Sequence, residues 1–271
     1  MKPFLFKIIA LIFFSIFTTQ LSAQKFQGKA YYFSKSKMEL GNWGARMSEA
    51  QKKQMQNRLK DRLEKKYILN FNMQESTFLE EDKIDAISGA TDSWGGYFSR
   101  GDLHKNIKEN KLVQSQEFYG KRFLVKDKLV NIEWSLGTET KKIGNYTCYK
   151  AAAMVPKSEL NWFDFSWSDL RQNSDETKKI EETMIVIEAW YTPQIPVAQG
   201  PAEYWGLPGL ILEVGAGNTT LLCSEIILNP KEKVTITAPD KGENITKKGY
   251  TSNIRKKMVE MRNNRMGRRS R

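Results

Sequence analysis

Short runs in which apolar and polar residues alternate recur along most of the chain, and each run predicts a β-strand. Turn residues separate successive runs at short spacing, which is typical of an antiparallel meander. The strand-like runs are residues 26–33, 67–71, 76–80, 94–98, 111–118, 121–126, 129–135, 146–153, 183–191, 210–214, 219–228 and 234–237.

Two other segments have the spacing of helices. Ser48 is a good N-cap, and apolar residues recur at every fourth position from Met55, so residues 48–66 predict one long amphipathic helix on the sheet. Residues 246–262 predict a C-terminal helix with Met258 on its apolar side.

These elements predict an α+β fold built on a single curved antiparallel β-sheet. The expected sheet is a half-open barrel with one long helix after the first strand and a C-terminal helix, as in periplasmic lipoprotein carriers. With 271 residues, 40% of them hydrophobic, the chain can bury a substantial core. One domain over residues 24–263 is the simplest organisation, with an insertion at 155–182.

Residues 1–23 have the pattern of a secretory signal peptide. Lys2 and Lys7 supply positive charge, residues 8–17 are apolar, and small residues precede a cut before Gln24. The apolar stretch is too short for a comfortable membrane span. The mature protein is therefore expected in the periplasm or cell envelope, or outside the cell.

Positive charge is concentrated at the end of the chain. The formal net charge is +12, and residues 241–271 hold eleven Lys or Arg against two Glu. Residues 264–271 predict a disordered basic tail that is attracted to an anionic membrane surface. Nucleic acid is not an expected partner, because export separates the protein from most of it.

The two cysteines, Cys148 and Cys223, lie in strand-like runs of a chain with an export signal. Oxidising compartments favour pairing, so a disulfide between them is expected, and two buried free thiols are the alternative.

The sequence offers few groups for catalysis or metal binding. His104 is the only histidine, so a multi-histidine metal site lacks ligands. No catalytic, metal-binding or cofactor-binding residue is assigned. The carboxylate pairs Asp164 with Asp169 and Glu188 with Glu213 are interpreted as surface groups.

Four aromatic residues crowd into six positions of the insertion: Trp162, Phe163, Phe165 and Trp167. They either close the end of the core or form a hydrophobic lid, which would be a surface for a ligand or partner.

A segment rich in proline and glycine, residues 193–209, joins two strand-like runs. Proline fixes φ and glycine permits unusual backbone conformations, so the segment predicts a rigid crossover between strands. A docking site for a partner or ligand is the alternative.

Residues 188–214 resemble the signature of the GLPGLI family of Bacteroidetes envelope proteins. The family name is spelled by six consecutive residues: Gly206, Leu207, Pro208, Gly209, Leu210 and Ile211. Further agreement lies at residues 67–71, 76, 134, 139–141 and 144–151. The resemblance implies an exported protein whose relatives are largely uncharacterised and have no assigned catalytic residues.

Fold and family together suggest a binding protein. The first expectation is an apolar ligand, such as an acyl chain, a lipoprotein or an apolar peptide, held in the cavity of the curved sheet. The alternative is an accessory adaptor that docks on another cell-envelope protein. An enzyme of unknown type is the third and least favoured expectation.

Overall fold

The structure of the protein is a computed structural model that describes residues 26–37, 46–81, 101–118, 120–163 and 183–267. Several features expected from the sequence lie outside the described residues. They are the signal peptide at 1–23, the strand at 94–98, the aromatic residues Phe165 and Trp167, the Asp164 and Asp169 pair, and the chain end at 268–271.

Twelve strands in the described ranges form one sheet. They are β1 Gln27–Ser36, β2 Glu64–Asn72, β3 Glu75–Glu80, β4 Leu103–Asn106, β5 Lys111–Phe118, β6 Lys121–Asp127, β7 Ser135–Ile143, β8 Tyr146–Pro156, β9 Met184–Thr192, β10 Leu210–Ala216, β11 Thr219–Leu228 and β12 Glu243–Ile245. Their spatial order is β12-β6-β5-β4-β3-β2-β1-β11-β10-β9-β8-β7.

Neighbouring strands run antiparallel except β12, which lies parallel to β6. The expected single curved antiparallel sheet is confirmed, and it is open because β12 and β7 end it without pairing with each other. The sequence expectation placed strands at 129–135 and 234–237, but residues 128–134 and 233–242 are irregular, and β7 and β12 begin after them. The short β4 was not anticipated.

Helices are few in the described residues: α1 Glu49–Arg58, α2 Lys60–Leu63, α3 Lys157–Leu160 and α4 Lys247–Gly267. The long helix expected at 48–66 is divided at Leu59, and β2 begins at Glu64 because this segment pairs with β1. No residue of α1 is buried, so α1 does not lie on the sheet as expected. The apolar stripe of α1 is too narrow to make burial of the helix against the sheet favourable.

The C-terminal helix α4 extends further than the sequence suggested. Residues 264–267, expected to be disordered, continue the helix. Tyr250, Ile254 and Met258 recur at every fourth position and are buried against β5 and β6. This contact anchors the helix, and the following Met, Arg and Asn residues do not interrupt it.

The register assigns each strand residue to one of two faces of the sheet. The inner face carries the main hydrophobic cluster and includes Ala30, Leu69, Leu103, Ala151, Ala189 and Val214. A second cluster joins α4 to the inner side of β5 and β6. The outer face is the opposite one.

None of the helices in the described ranges has the length and apolar character needed to cross a bilayer.

Candidate functional site

The segment between β9 and β10, residues 193–209, is packed into the protein. We call it the signature loop. Ile195, Val197, Tyr204 and Leu207 are buried in the main hydrophobic cluster. The loop is therefore part of the core, which supports its interpretation as a rigid crossover.

A buried lysine on the inner face holds the middle of the signature loop. Lys105 on β4 is 0% exposed, and its Nζ donates hydrogen bonds to the carbonyl oxygens of Gly200, at 2.7 Å, and Tyr204, at 2.9 Å. The ammonium therefore supplies hydrogen bonds to two carbonyl oxygens of a buried loop, as buried backbone acceptors require.

Two further inner-face residues contact the same region. The Tyr32 hydroxyl donates to the carbonyl of Ile211 at 2.5 Å, and the Ser76 hydroxyl donates to Gln199 Oε1 at 2.8 Å. Burial raises the pKa of Tyr32 well above its ordinary value, so the phenol stays protonated and remains a donor. Polar side chains on three strands thus hold the loop and the start of β10 in position.

The two glycines of the signature have different physical roles. Gly206 has φ of 94°, a conformation that side-chain-bearing residues rarely adopt. At Gly209 φ is not positive, but a Cβ there would lie 2.2 Å from the carbonyl oxygen of Thr192. Gly209 is therefore needed for close backbone approach, whereas Gly206 is needed for its backbone conformation.

The apolar residues of the signature are core residues. Leu207, Leu210 and Ile211 are buried, and Pro208 is exposed. The Leu210 amide donates to the carbonyl of Ile195 at 2.9 Å, so the loop itself pairs with the start of β10.

A buried ion pair joins the signature loop to the C-terminal helix. The Glu203 carboxylate is hydrogen-bonded to Lys247 Nζ, and both residues are buried. Trp162 Nε1 donates to the other oxygen of Glu203 at 2.7 Å, and Lys247 Nζ also reaches the carbonyl of Glu159 at 3.3 Å. Loop, insertion and helix therefore meet at one charged cluster.

Sequence reasoning missed this cluster, although α4 carried a signal. A lysine in the first turn opposes the helix dipole, and the first turn of α4 contains no acidic residue. Asp127 of β6 compensates, because its Oδ2 accepts from the Lys247 amide at 3.0 Å. A lysine in so unfavourable a helical position indicates a specific partner elsewhere.

The aromatic residues of the insertion close the core where the structure describes them. Trp162 and Phe163 are buried, and the ring of Trp162 packs edge-on against Tyr250 at 5.5 Å. Trp162 and Phe163 therefore close the end of the core and do not form an exposed lid.

The expected disulfide is not formed: Cys148 and Cys223 are free, buried thiols. Their strands, β8 and β11, are separated in the sheet by β9 and β10, and both thiols are buried in the main hydrophobic cluster. Burial raises the thiol pKa to about 11 and about 12, respectively.

The carboxylates Glu188 and Glu213 do not face each other as an acid and base pair. Glu213 pairs with Lys141 at 2.7 Å, and Glu188 lies 3.6 Å from Lys150. Both groups belong to surface ion pairs on the outer face, as the sequence interpretation expected.

A cleft of about 460 Å³ opens near the β6 end of the sheet. It is lined by side chains of both charges, and its lining comprises Gly101, Asp102, Ser115, Gln116, Glu117, Arg122, Pro239, Asp240 and Lys241. Arg122 lies 3.6 Å from Glu117. Within the described ranges, no group of three or more His, Cys, Asp or Glu could hold a metal ion.

Large apolar side chains are exposed together on the outer face of β8 and β9. Met154 is 62% exposed, Val186 54% and Met184 45%. Met154 is directly paired with Val186, and Met184 with Pro156, so the side chains are neighbours. We call Met154, Pro156, Met184 and Val186 the outer patch.

Charged residues border the outer patch further along the same strands. Lys150 interacts with Glu139 at 3.3 Å and with Glu188 at 3.6 Å. Lys141 also lies over the ring of Trp190, 4.3 Å from its centroid. Apolar side chains with a polar border of both charges are the usual anatomy of a protein interface.

The fold and these surfaces define a predominantly antiparallel β protein with a core-packed signature loop and an exposed apolar patch. Residues 134–213 match the model of a Bacteroidetes-associated family described as a protein of unknown function, Porph_ging. This region spans β7 to β9, the signature loop and the first part of β10.

Two solved structures of PNGF-II are similar to the chain. The structure in space group C2 aligns at 13% identity with a TM-score of 0.47, covering 84% of this chain and 32% of that one. The structure in space group P21 aligns at 13% identity with a TM-score of 0.44, covering 81% and 31%. The chain thus spans about a third of the length of those proteins. No curated protein matches the sequence.

Proposed function

We propose that the protein is an exported binding protein of the cell envelope that docks on another protein through the outer patch. The observation that carries this proposal is the exposure of Met154, Met184 and Val186 as neighbours on the paired strands β8 and β9, where β8 ends and β9 begins. Contiguous exposed apolar surface ordinarily marks an interaction site.

The border of the outer patch favours a protein partner. Among the described residues further along these strands, Lys141 and Lys150 are matched by Glu139, Glu188 and Glu213. An anionic membrane surface or a nucleic acid selects a basic surface. A partner with its own apolar strip and a border of mixed charge fits better.

The inner face supports this proposal over the apolar-ligand alternative. Tyr32, Phe71 and Phe78 are fully buried, and the signature loop and α4 lie on the same side of the sheet. Protein side chains and the signature loop line that side of the sheet, and charged residues border the cleft near β6, namely Asp102, Glu117, Arg122, Asp240 and Lys241.

The location follows from the sequence expectation of export and from the resemblance to envelope proteins.

The β7 edge of the sheet, next to β8, is poorly suited to nonspecific pairing. In β7, residues 137–139 bulge opposite a single residue of β8, and the exposed strand carries Lys142. Bulges and lysines discourage edge-to-edge association, so the proposed contact uses side chains of the face.

The test compares the parent protein with two charged variants in a native host. Met154→Asp combined with Val186→Asp changes the outer patch, whereas Met73→Asp changes a residue of similar exposure, 51%, in the β2–β3 turn. Each strain is treated with a short crosslinker, and adducts of the tagged protein are quantified by mass spectrometry. Bound lipid is extracted in parallel.

The proposal predicts one discrete protein adduct in the parent and in the Met73→Asp strain, reduced at least about tenfold in the double variant. Equal adduct in all three strains contradicts it. Stoichiometric lipid without a protein adduct also contradicts it and supports the apolar-ligand alternative. If the adduct consists of a second copy of this chain, the outer patch mediates self-association instead of binding a different protein.

A further inference from the structure

The outer patch has an unusual chemical composition for an exposed apolar surface. Two of its four residues are methionines, and both are highly exposed. The register places Met154 opposite Val186 and Met184 opposite Pro156, so the two thioethers are diagonal neighbours on adjacent strands. Methionine in the apolar interior is common, but paired exposed methionines on an ordered strand face are open to reagents from solution.

Thioether sulfur is oxidised by peroxides without help from an active site. One oxygen atom of hydrogen peroxide bonds to Sδ as the O–O bond breaks. The sulfur loses two electrons, and the rest of the peroxide leaves as water. The product, methionine sulfoxide, is polar and chiral, so a flexible apolar side chain becomes a hydrated one.

We infer that Met154 and Met184 form a peroxide-sensitive modification site that controls the apolarity of the outer patch. Oxidation of both residues leaves Val186 and Pro156 as the only apolar members of the patch. The consequence for partner binding rests on the proposed docking function, whereas the modification itself depends only on the exposure and neighbourhood of the two residues.

Two other methionines of the described residues provide internal standards. Met258 is 2% exposed inside the cluster under α4, so its sulfur is protected until the helix detaches. Met73 is 51% exposed but lies in the β2–β3 turn, away from the patch. Comparison with Met258 distinguishes selective oxidation from general damage. Comparison with Met73 distinguishes oxidation of the patch from oxidation of any exposed methionine.

The experiment treats the purified mature protein with increasing hydrogen peroxide. Peptide mapping measures the oxidation rate at each methionine, and retention on a phenyl matrix measures the exposed apolar surface. The inference predicts oxidation of Met154 and Met184 on the order of tenfold faster than Met258, with earlier elution from the matrix.

Two variants separate the patch from other methionines. Met154→Leu combined with Met184→Leu keeps an apolar patch that cannot be oxidised, and Leu for Met is a mild change in volume. Peroxide should leave the retention of this variant nearly unchanged. Met73→Leu should respond to peroxide as the parent does.

Oxidation of Met154 and Met184 no faster than that of Met258 overturns the inference. Rapid oxidation with the same loss of retention in parent and Met154→Leu/Met184→Leu overturns it as well. Neither readout needs a partner, so a failure here is distinct from a failure of the docking proposal, which is judged by the crosslinked adduct.

Discussion

The signature loop and the outer patch are both rich in apolar residues, yet they are opposite in structure. The signature loop lies outside the regular strands and is nevertheless buried, because Lys105 and Ser76 supply hydrogen bonds to it from the inner face. The outer patch lies on regular strands and is nevertheless exposed. Regular secondary structure therefore does not identify the core of this protein.

The comparison also separates two reasons for a distinctive sequence. Gly209, Leu210 and Glu203 are distinctive because the loop must pack tightly and without unpaired charge. Met154, Met184 and Val186 attract no attention in the sequence, but folding leaves them together at the surface. The conspicuous motif is structural, and the proposed functional surface is inconspicuous.

The largest expected effect concerns the ion pair under the signature loop. Lys247→Met leaves the Glu203 carboxylate buried without its cation and should lower the free energy of unfolding by about 3 to 5 kcal/mol. Urea denaturation of the variant and parent measures this. Adding Glu203→Gln to Lys247→Met should recover part of the loss, because no buried charge then remains uncompensated. A double variant less stable than Lys247→Met would contradict this explanation.

A smaller loss is expected from crowding at the end of the loop. Gly209→Ala places a Cβ 2.2 Å from the carbonyl oxygen of Thr192, which should cost about 1 to 3 kcal/mol. Gly215→Ala, six residues further on, is the matched control because its Cβ would have no contact closer than 4.0 Å. Thermal melting compares them. Equal melting temperatures would show that the loop can move away from β9.

A pH-dependent contribution is expected from the outer face of β4. Burial lowers the pKa of His104; Glu75 and Glu109 partly oppose this shift, and Lys111 adds to it. The folded protein therefore prefers neutral His104, so stability should fall as the pH drops below the unfolded value of about 6.5 and level off below the folded pKa.

The His104→Gln variant should not show this part of the decline in stability. In the parent, the full contribution of neutral His104 to stability should be present only above about pH 6.5. Urea midpoints at several pH values between 8 and 5 measure the difference. Parallel curves for the two proteins would mean that His104 does not contribute.

The smallest stability effect is expected at the outer patch. Met154→Asp and Val186→Asp change exposed side chains and should alter the free energy of unfolding by less than about 0.5 kcal/mol each. Urea denaturation again provides the measurement. A loss of several kcal/mol would show that the patch is covered within the protein, and the contrast with the signature loop would disappear.

Alternation of apolar and polar residues was sufficient to predict the sheet, because strand periodicity and turn residues are local signals. It failed at residues 64–66, where pairing with β1 converts expected helix into strand. The disulfide expectation failed for a related reason. Strand order determines whether Cys148 can reach Cys223, and strand order is not encoded locally.

The candidate surfaces were less accessible to sequence reasoning. The burial of Lys105 and the pairing of Glu203 with Lys247 depend on contacts between distant segments. The aromatic pair Trp162 and Phe163 was recognised, but its burial under α4 required the fold. The exposure of the outer patch depends on what the remaining chain leaves uncovered, which no local pattern reveals.

The most direct test places a photo-reactive amino acid at Val186 in one strain and at Pro208 in another. Both positions are exposed, one in the outer patch and one at the tip of the signature. After irradiation in the native host, the account predicts a discrete protein adduct from Val186 and none from Pro208. An adduct from Pro208 without one from Val186 would contradict it and make the signature loop the docking site.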